Sequence, residues 1–96
     1  MKRAQRLEMV QNVVEDQERR RAEALAASER RVSEGEAKLA ELESYHASYV
    51  RGFAVRAEAG IDGVLARDYQ AFLGRLEEAI RQQTQIVTRV RAQRDS

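Results

Sequence analysis

Apolar side chains recur at helical spacings from residue 4 to residue 57. Most are three, four or seven positions apart, a repeat that lines one face of an α-helix. The step of eleven from Val14 to Leu25 is a stutter, which relaxes the supercoil of a coiled coil locally. The pattern predicts one long helix over about residues 4–57. Its apolar positions are Leu7, Val10, Val14, Leu25, Val32, Leu39, Leu42, Tyr49 and Phe53.

The segment AEAGIDGVLARD interrupts this repeat. Gly60 and Gly63 tolerate positive φ, which tight turns often need. Asp62 or Asp68 has the short acidic side chain that caps a helix N-terminus. These features predict a turn over about residues 58–65.

The helical repeat resumes after the turn and predicts a second helix over about residues 66–95. Two long helices joined by a short turn fold back on each other. The expected fold is therefore all-α, an antiparallel two-helix coiled-coil hairpin that forms a single domain. The apolar positions of the second helix are Leu65, Tyr69, Phe72, Leu76, Ile80, Val87 and Val90.

The two predicted helices differ in length, so part of the first has no partner. Folding about residue 61 places residue i opposite roughly residue 122 − i, and residues 1–25 then extend beyond the second helix by about 38 Å. Leu7, Val10 and Val14 would be exposed there. Either another chain covers them, or the natural protein continues past Ser96 with a longer second helix; we favour the latter.

The composition is that of a long helix or coiled coil rather than of a closed globule. Of the 96 residues, 34% are charged, 5% are aromatic and none is proline, which leaves helices free to run long. No apolar run approaches the roughly 20 residues that span a bilayer, and no secretory segment follows Met1. Without cysteine there is no disulfide framework and no thiolate site. A soluble, cytoplasmic protein is expected.

Charge is unevenly distributed although the net charge is only +1. Residues 1–31 carry eight basic against six acidic side chains, and residues 81–96 carry four against one. Residues 32–80 carry five basic against nine acidic side chains. The open end of the hairpin is thus basic and the remainder acidic.

The stretch SYHASYVRGF holds three of the five aromatic rings and the only histidine. At about 100° per residue, Phe53 and His46 lean toward the seam between the helices, whereas Tyr45 and Tyr49 fall to one side of it. We expect these two tyrosines to face a partner. Packing alone remains the alternative, since an aromatic stripe at helical spacing packs more often than it binds.

The second helix has a matching edge. Phe72 and Ala79 lie on the same side of its apolar arc as Tyr45 and Tyr49 do on the first helix. Because an antiparallel pair keeps such edges on one broad face, the four residues are expected to lie side by side. Tyrosine suits a solvent-exposed face, because its ring offers apolar area to a partner while its hydroxyl stays solvated.

Nothing in the chain supports catalysis or a cofactor. The GIDG segment lacks the spacing and the lysine of a phosphate-binding loop, and Ser44, Ser48 and His46 lack an orienting acid. No second histidine or carboxylate cluster completes a metal site around His46. The ERRR and SERR runs alternate with acids and lack stacking aromatics, which indicates solvated helix faces rather than nucleic-acid contacts. We therefore expect a non-enzyme without cofactor, nucleic acid or small-molecule substrate.

The motif LESYHASYVRGF, followed by AGI and then by YQAFLGRLEEAI and glutamines, resembles the flagellar FliJ family. The resemblance is clearest over residues 38–83. It implies a hairpin similar to the central stalk subunit of rotary ATPases. It also implies a cytoplasmic component of the flagellar type III export apparatus, peripheral to the inner membrane. Such a component binds the export ATPase ring, docks on the export gate membrane protein and helps to recycle export chaperones.

The resemblance also implies a gate-docking patch. Lys38 and Gln83 occupy fringe positions of this patch, where this sequence departs from a Gln and a His familiar in the family. The remaining patch positions are Leu42, Tyr45, Tyr49, Phe72, Leu76 and Ala79.

The charge distribution suggests that the basic open end enters or borders the ATPase ring. Two alternatives stay open: the equivalent stalk of a virulence-type injectisome, which shares the architecture, and a generic coiled-coil oligomerisation segment. The arginines expected at the ring are Arg19, Arg20, Arg21, Arg89 and Arg91.

Overall fold

The protein is an antiparallel helical hairpin, which confirms the fold predicted from the sequence. The computed structural model describes residues 2–96 and contains two helices, α1 (Lys2–Ala59) and α2 (Gly63–Asp95). No strand occurs in this part of the chain. The molecule measures 88 × 17 × 16 Å, so it is a rod about two helices thick.

The connection between the helices is three residues long, shorter than the segment 58–65 expected to form the turn. Gly60 takes a φ of 95°, which glycine adopts without strain. Asp62 then caps α2, because its Oδ1 accepts a hydrogen bond of 2.8 Å from the backbone N–H of Leu65. With this cap in place, α2 begins at Gly63 rather than at residue 66.

The best-buried part of the seam lies far from the turn. Val32 and Val87 are only 4% and 2% exposed. Gly35 lies opposite Val87, and a Cβ added there would stand 3.4 Å from a Val87 methyl group. The missing side chain therefore lets α2 approach α1 closely. Ser28 is also buried in this region.

The first part of α1 has no helix beside it. We call residues 2–25 the overhang, since the last residue of the chain, Ser96, lies near Leu25 and Ser28. All overhang side chains are exposed except that of Asp16, which is half-buried. Within residues 2–96, neither helix contains a segment that is both long enough and apolar enough to cross a membrane.

Candidate docking face

An aromatic row crosses from α1 to α2 on the half of the hairpin nearer the turn. The rings of Tyr45 and Tyr49 stack, with centroids 6.0 Å apart and an interplanar angle of 17°. Tyr49 also packs against Phe72 of α2 at 4.5 Å. Phe53 packs against Tyr69 at 5.5 Å, and Tyr69 lies 6.3 Å from Tyr49. All five aromatic residues thus form one continuous cluster.

The two tyrosines predicted to face a partner differ in exposure. Tyr45 is 54% exposed and contacts one other ring, that of Tyr49. Tyr49 is half-buried, as Phe53 is, and packs against three rings. Tyr49 lies further inward than the helical wheel predicts because Phe72 stands directly beside it. Of the five aromatic side chains, that of Tyr45 is the most exposed to solvent.

His46 turns toward α2, as the helical wheel predicts. Its Nε2 lies 3.3 Å from Oε1 of Glu77, and the imidazole is only partly exposed. This contact joins the two helices beside the aromatic row. Among residues 2–96, no group of three potential ligands is arranged to hold a metal ion.

Arginines border the aromatic row on α1 and on α2. The guanidinium carbon of Arg75 lies 5.7 Å from the centroid of Phe72, and that of Arg56 lies 5.9 Å from the centroid of Tyr69. Both distances are within the range of a cation–π contact. The sequence reasoning missed these two residues; their signal is the i,i+3 spacing of Arg75 from Phe72 and of Arg56 from Phe53. Two arginines thus border the apolar row.

The remaining residues of the expected patch vary in accessibility. Leu42, Leu76 and Ala79 are half-buried, and Lys38 is exposed. Gln83 is half-buried because its Nε2 donates a hydrogen bond of 3.0 Å to the carbonyl oxygen of Gly35. Gln83 therefore joins the helices and offers less of its amide to a partner than its place at the fringe suggests.

A cleft of about 260 Å³ opens between the aromatic row and the turn. Sequence reasoning did not single out Leu65 or Asp68 as part of a site, although both line this cleft. They reach it because α2 begins early and its first turns lie beside the rings. The other lining residues are Tyr49, Arg56, Tyr69 and Phe72.

The model of the family described as "Flagellar FliJ protein" matches residues 1–96. The chain belongs to the FliJ family. It is therefore a coiled-coil protein of flagellar type III protein export, and its family interacts with the export machinery. No match to the chain was found among curated proteins or among solved structures. The flagellar family match favours the flagellar role over the injectisome alternative.

Two of the arginines expected at the ATPase ring are engaged within the overhang of this FliJ-family hairpin. Arg19 and Arg20 lie 3.4 and 3.0 Å from the two carboxylate oxygens of Asp16, and both side chains remain exposed. Arg21 lies beside them in the overhang and is exposed as well.

The other two expected arginines lie on α2, within the paired part of the hairpin. Arg91 Nε donates a hydrogen bond of 3.2 Å to Glu36 of α1, whereas Arg89 is exposed on the same helix. All five arginines lie on the open half of the rod. The hairpin brings Arg91 to α1, but it leaves Arg19, Arg20 and Arg21 beyond the end of α2.

Proposed function

We propose that this FliJ-family chain is the coiled-coil stalk and adaptor of the flagellar export ATPase. In this role it binds the ATPase ring through its basic open end and docks on the export gate membrane protein through the aromatic row. It also helps to recycle export chaperones. It works without cofactor or catalysis, at the cytoplasmic face of the inner membrane. The exposed ring of Tyr45 carries the proposal, because it gives the hairpin an apolar anchor on a solvent-exposed face.

The aromatic row supports docking by its chemistry. Tyrosine is enriched among the residues that dominate binding energy at protein interfaces. Tyr45 stacks on Tyr49, which is itself held by Phe72, so the anchor is already ordered before a partner arrives. Ordering in advance lowers the entropy lost on binding. Arg56 and Arg75 add positive charge at the border, which suits a gate surface with an apolar centre and acidic edges.

The open end supports the ring contact by its charge. Exposed arginines speed encounter with an acidic surface and form contacts that salt weakens. Arg21 and Arg89 are exposed, and the partners of Arg19 and Arg20 lie on the same helix. An ATPase ring that surrounds this end therefore meets guanidinium groups that can leave Asp16 and pair with a carboxylate of the ATPase.

The test compares the affinity of the purified cytoplasmic region of the export gate for the Tyr45→Ala variant with its affinity for the original chain. We expect a loss of about 1–3 kcal/mol, or roughly 5- to 150-fold, because an exposed anchor is removed. The matched control is Val55→Ala, which truncates another exposed apolar side chain of α1 outside the aromatic row. Unchanged gate binding by Tyr45→Ala, with the melting temperature also unchanged, would show that the row does not dock there.

A further inference from the structure

Two depressions adjoin on the aromatic row, and Tyr45, the proposed gate anchor, lines neither of them. The first is the cleft of about 260 Å³ between the row and the turn. The second measures about 270 Å³ and lies next to the cleft, because Tyr49 and Tyr69 line both. Ser48 and Gly52 of α1 complete the second depression. We call the two depressions together the groove; it continues the docking face toward the turn.

Gly52 lies inside α1 and has no packing role within the hairpin. A Cβ built on Gly35 meets a methyl group of Val87 at 3.4 Å, whereas a Cβ built on Gly52 meets nothing within 4 Å outside its own stretch of helix backbone. The missing side chain of Gly52 therefore brings the two helices no closer, although glycine is among the poorest helix formers. It leaves open space at the surface of the groove, which a partner can enter.

The cleft carries one charge of each sign. Its charged lining residues are Arg56 of α1 and Asp68 of α2. Within residues 2–96, neither forms an ion pair. The neighbouring charged groups are engaged elsewhere: Asp62 caps α2, Arg67 bonds to a backbone carbonyl of the first turn of α2, and Arg75 lies over a ring of the row. An occupant that pairs with both lining charges brings an acidic and a basic group.

The size and lining of the cleft select the class of occupant. Sites for drug-sized molecules usually measure about 300–1,000 Å³, and the cleft is smaller than these. It suits one side chain of a protein partner, since the side chains that dominate binding energy fill such pockets at interfaces. Apart from the two charged residues, its lining is apolar or aromatic, so the side chain that enters is apolar. These other lining residues are Tyr49, Leu65, Tyr69 and Phe72.

We propose that the groove binds a segment of the export gate in which an apolar side chain lies between an acidic and a basic residue. The apolar side chain enters the cleft, the acidic residue pairs with Arg56, and the basic residue pairs with Asp68. The backbone of the segment passes over Gly52, where no side chain holds it away. This inference rests on the proposed gate docking and adds to it the chemistry of the segment that docks.

The first test replaces Gly52 with alanine and measures the affinity of the chain for the purified cytoplasmic region of the export gate. The added methyl group occupies space in the groove, so we expect the affinity to fall about tenfold. The melting temperature should rise by about 4–8 °C, because alanine favours the helix and its methyl group meets no other part of the chain. A variant that is more stable and yet binds more weakly separates a docking role from a structural one.

Gly74→Ala is the matched control. A Cβ at Gly74 also meets nothing within 4 Å, but Gly74 lies about 200° around α2 from Phe72 and thus away from the row. The control should raise the melting temperature similarly and leave gate binding unchanged. If Tyr45→Ala weakens gate binding and Gly52→Ala does not, the inference is wrong and the proposed function stands. If neither variant weakens binding, the proposed docking fails as well.

The second test removes the two charges of the cleft one at a time. Arg56→Gln and Asp68→Asn should each weaken gate binding about three- to fivefold, and both losses should shrink as the salt concentration rises. The controls, Arg51→Gln and Glu58→Gln, make the same changes in net charge at exposed positions of α1 that line neither depression, and they should leave binding unchanged. A gate surface that is acidic throughout would bind Asp68→Asn more tightly than the original chain, which would refute the proposed segment.

A second copy of this chain is the competing occupant of the groove. Analytical ultracentrifugation of the chain alone, at the concentration of the binding assay, distinguishes the two. We expect the original chain and Gly52→Ala to have the same mass. If the original chain is heavier than the 11.0 kDa monomer and Gly52→Ala returns it to that mass, the groove is a contact between copies and the gate does not fill it.

Discussion

Phe53 and Tyr45 belong to one aromatic cluster, yet the hairpin gives them different roles. Phe53 is half-buried in the seam and packs on Tyr69 of the other helix at 5.5 Å. Tyr45 is mostly exposed and packs on Tyr49 of its own helix. Truncating Phe53 therefore removes a contact between the helices, whereas truncating Tyr45 removes a contact within one helix. The two alanine variants should differ in stability.

The expected cost follows from exposure and contacts. Replacing a fully buried phenylalanine by alanine costs about 3–5 kcal/mol. Phe53 is only half-buried, so roughly half of that cost applies. Loss of its aromatic pair adds about 1 kcal/mol. The higher helix propensity of alanine offsets about 0.5 kcal/mol. We expect Phe53→Ala to cost about 2 kcal/mol. Tyr45→Ala should cost about 0.5–1 kcal/mol, because little buried area is lost and the same helix propensity is gained.

Thermal melting followed at 222 nm measures the difference. At about 4–8 °C per kcal/mol for a domain of this size, Phe53→Ala should melt about 10 °C lower and Tyr45→Ala only about 4 °C lower. Both variants are compared at one protein concentration, since self-association would raise the melting temperature. If Tyr45→Ala melts as low as Phe53→Ala, the Tyr45 ring is part of the core and the reasoning is wrong.

Two further predictions concern the turn and the surface of α2. Asp62→Ala removes the cap on the Leu65 N–H and should lower stability by about 1 kcal/mol, whereas Asp62→Ser should restore most of it; equal melting of both variants would contradict the capping role. A hydrogen bond from Arg81 and the charge of Arg81 hold the pKa of Glu78 below its ordinary value. The pair therefore stabilises α2 at neutral pH. This contribution is lost as the pH falls through the pKa of folded Glu78. Arg81→Gln should raise the pKa of Glu78 in a titration followed by NMR, and an unchanged value would show that Arg81 is not the cause.

The sequence suffices to predict the hairpin because hydrophobic periodicity and a glycine-rich break act locally. It also predicts the pairing of residues near 122 − i, which the contact of Gly35 with Val87 shows. The depth of Tyr49 was not predictable, since it depends on the rotation of both helices about their axes. The inward hydrogen bond of Gln83 depends on how closely the helices approach at Gly35. These are properties of the packed pair rather than of either helix.

Coiled coils built on a seven-residue repeat have a characteristic failure, in which one helix slips past the other by a heptad and still buries apolar positions. Gly35 opposes such slippage, because Val87 fits against α1 at the one seam position that lacks a Cβ. A slip of seven residues would set Val87 against a full side chain and would move Phe72 away from Tyr49. The register that Gly35 favours, about 21 Å away along α1, is the one that sets Phe72 beside Tyr49.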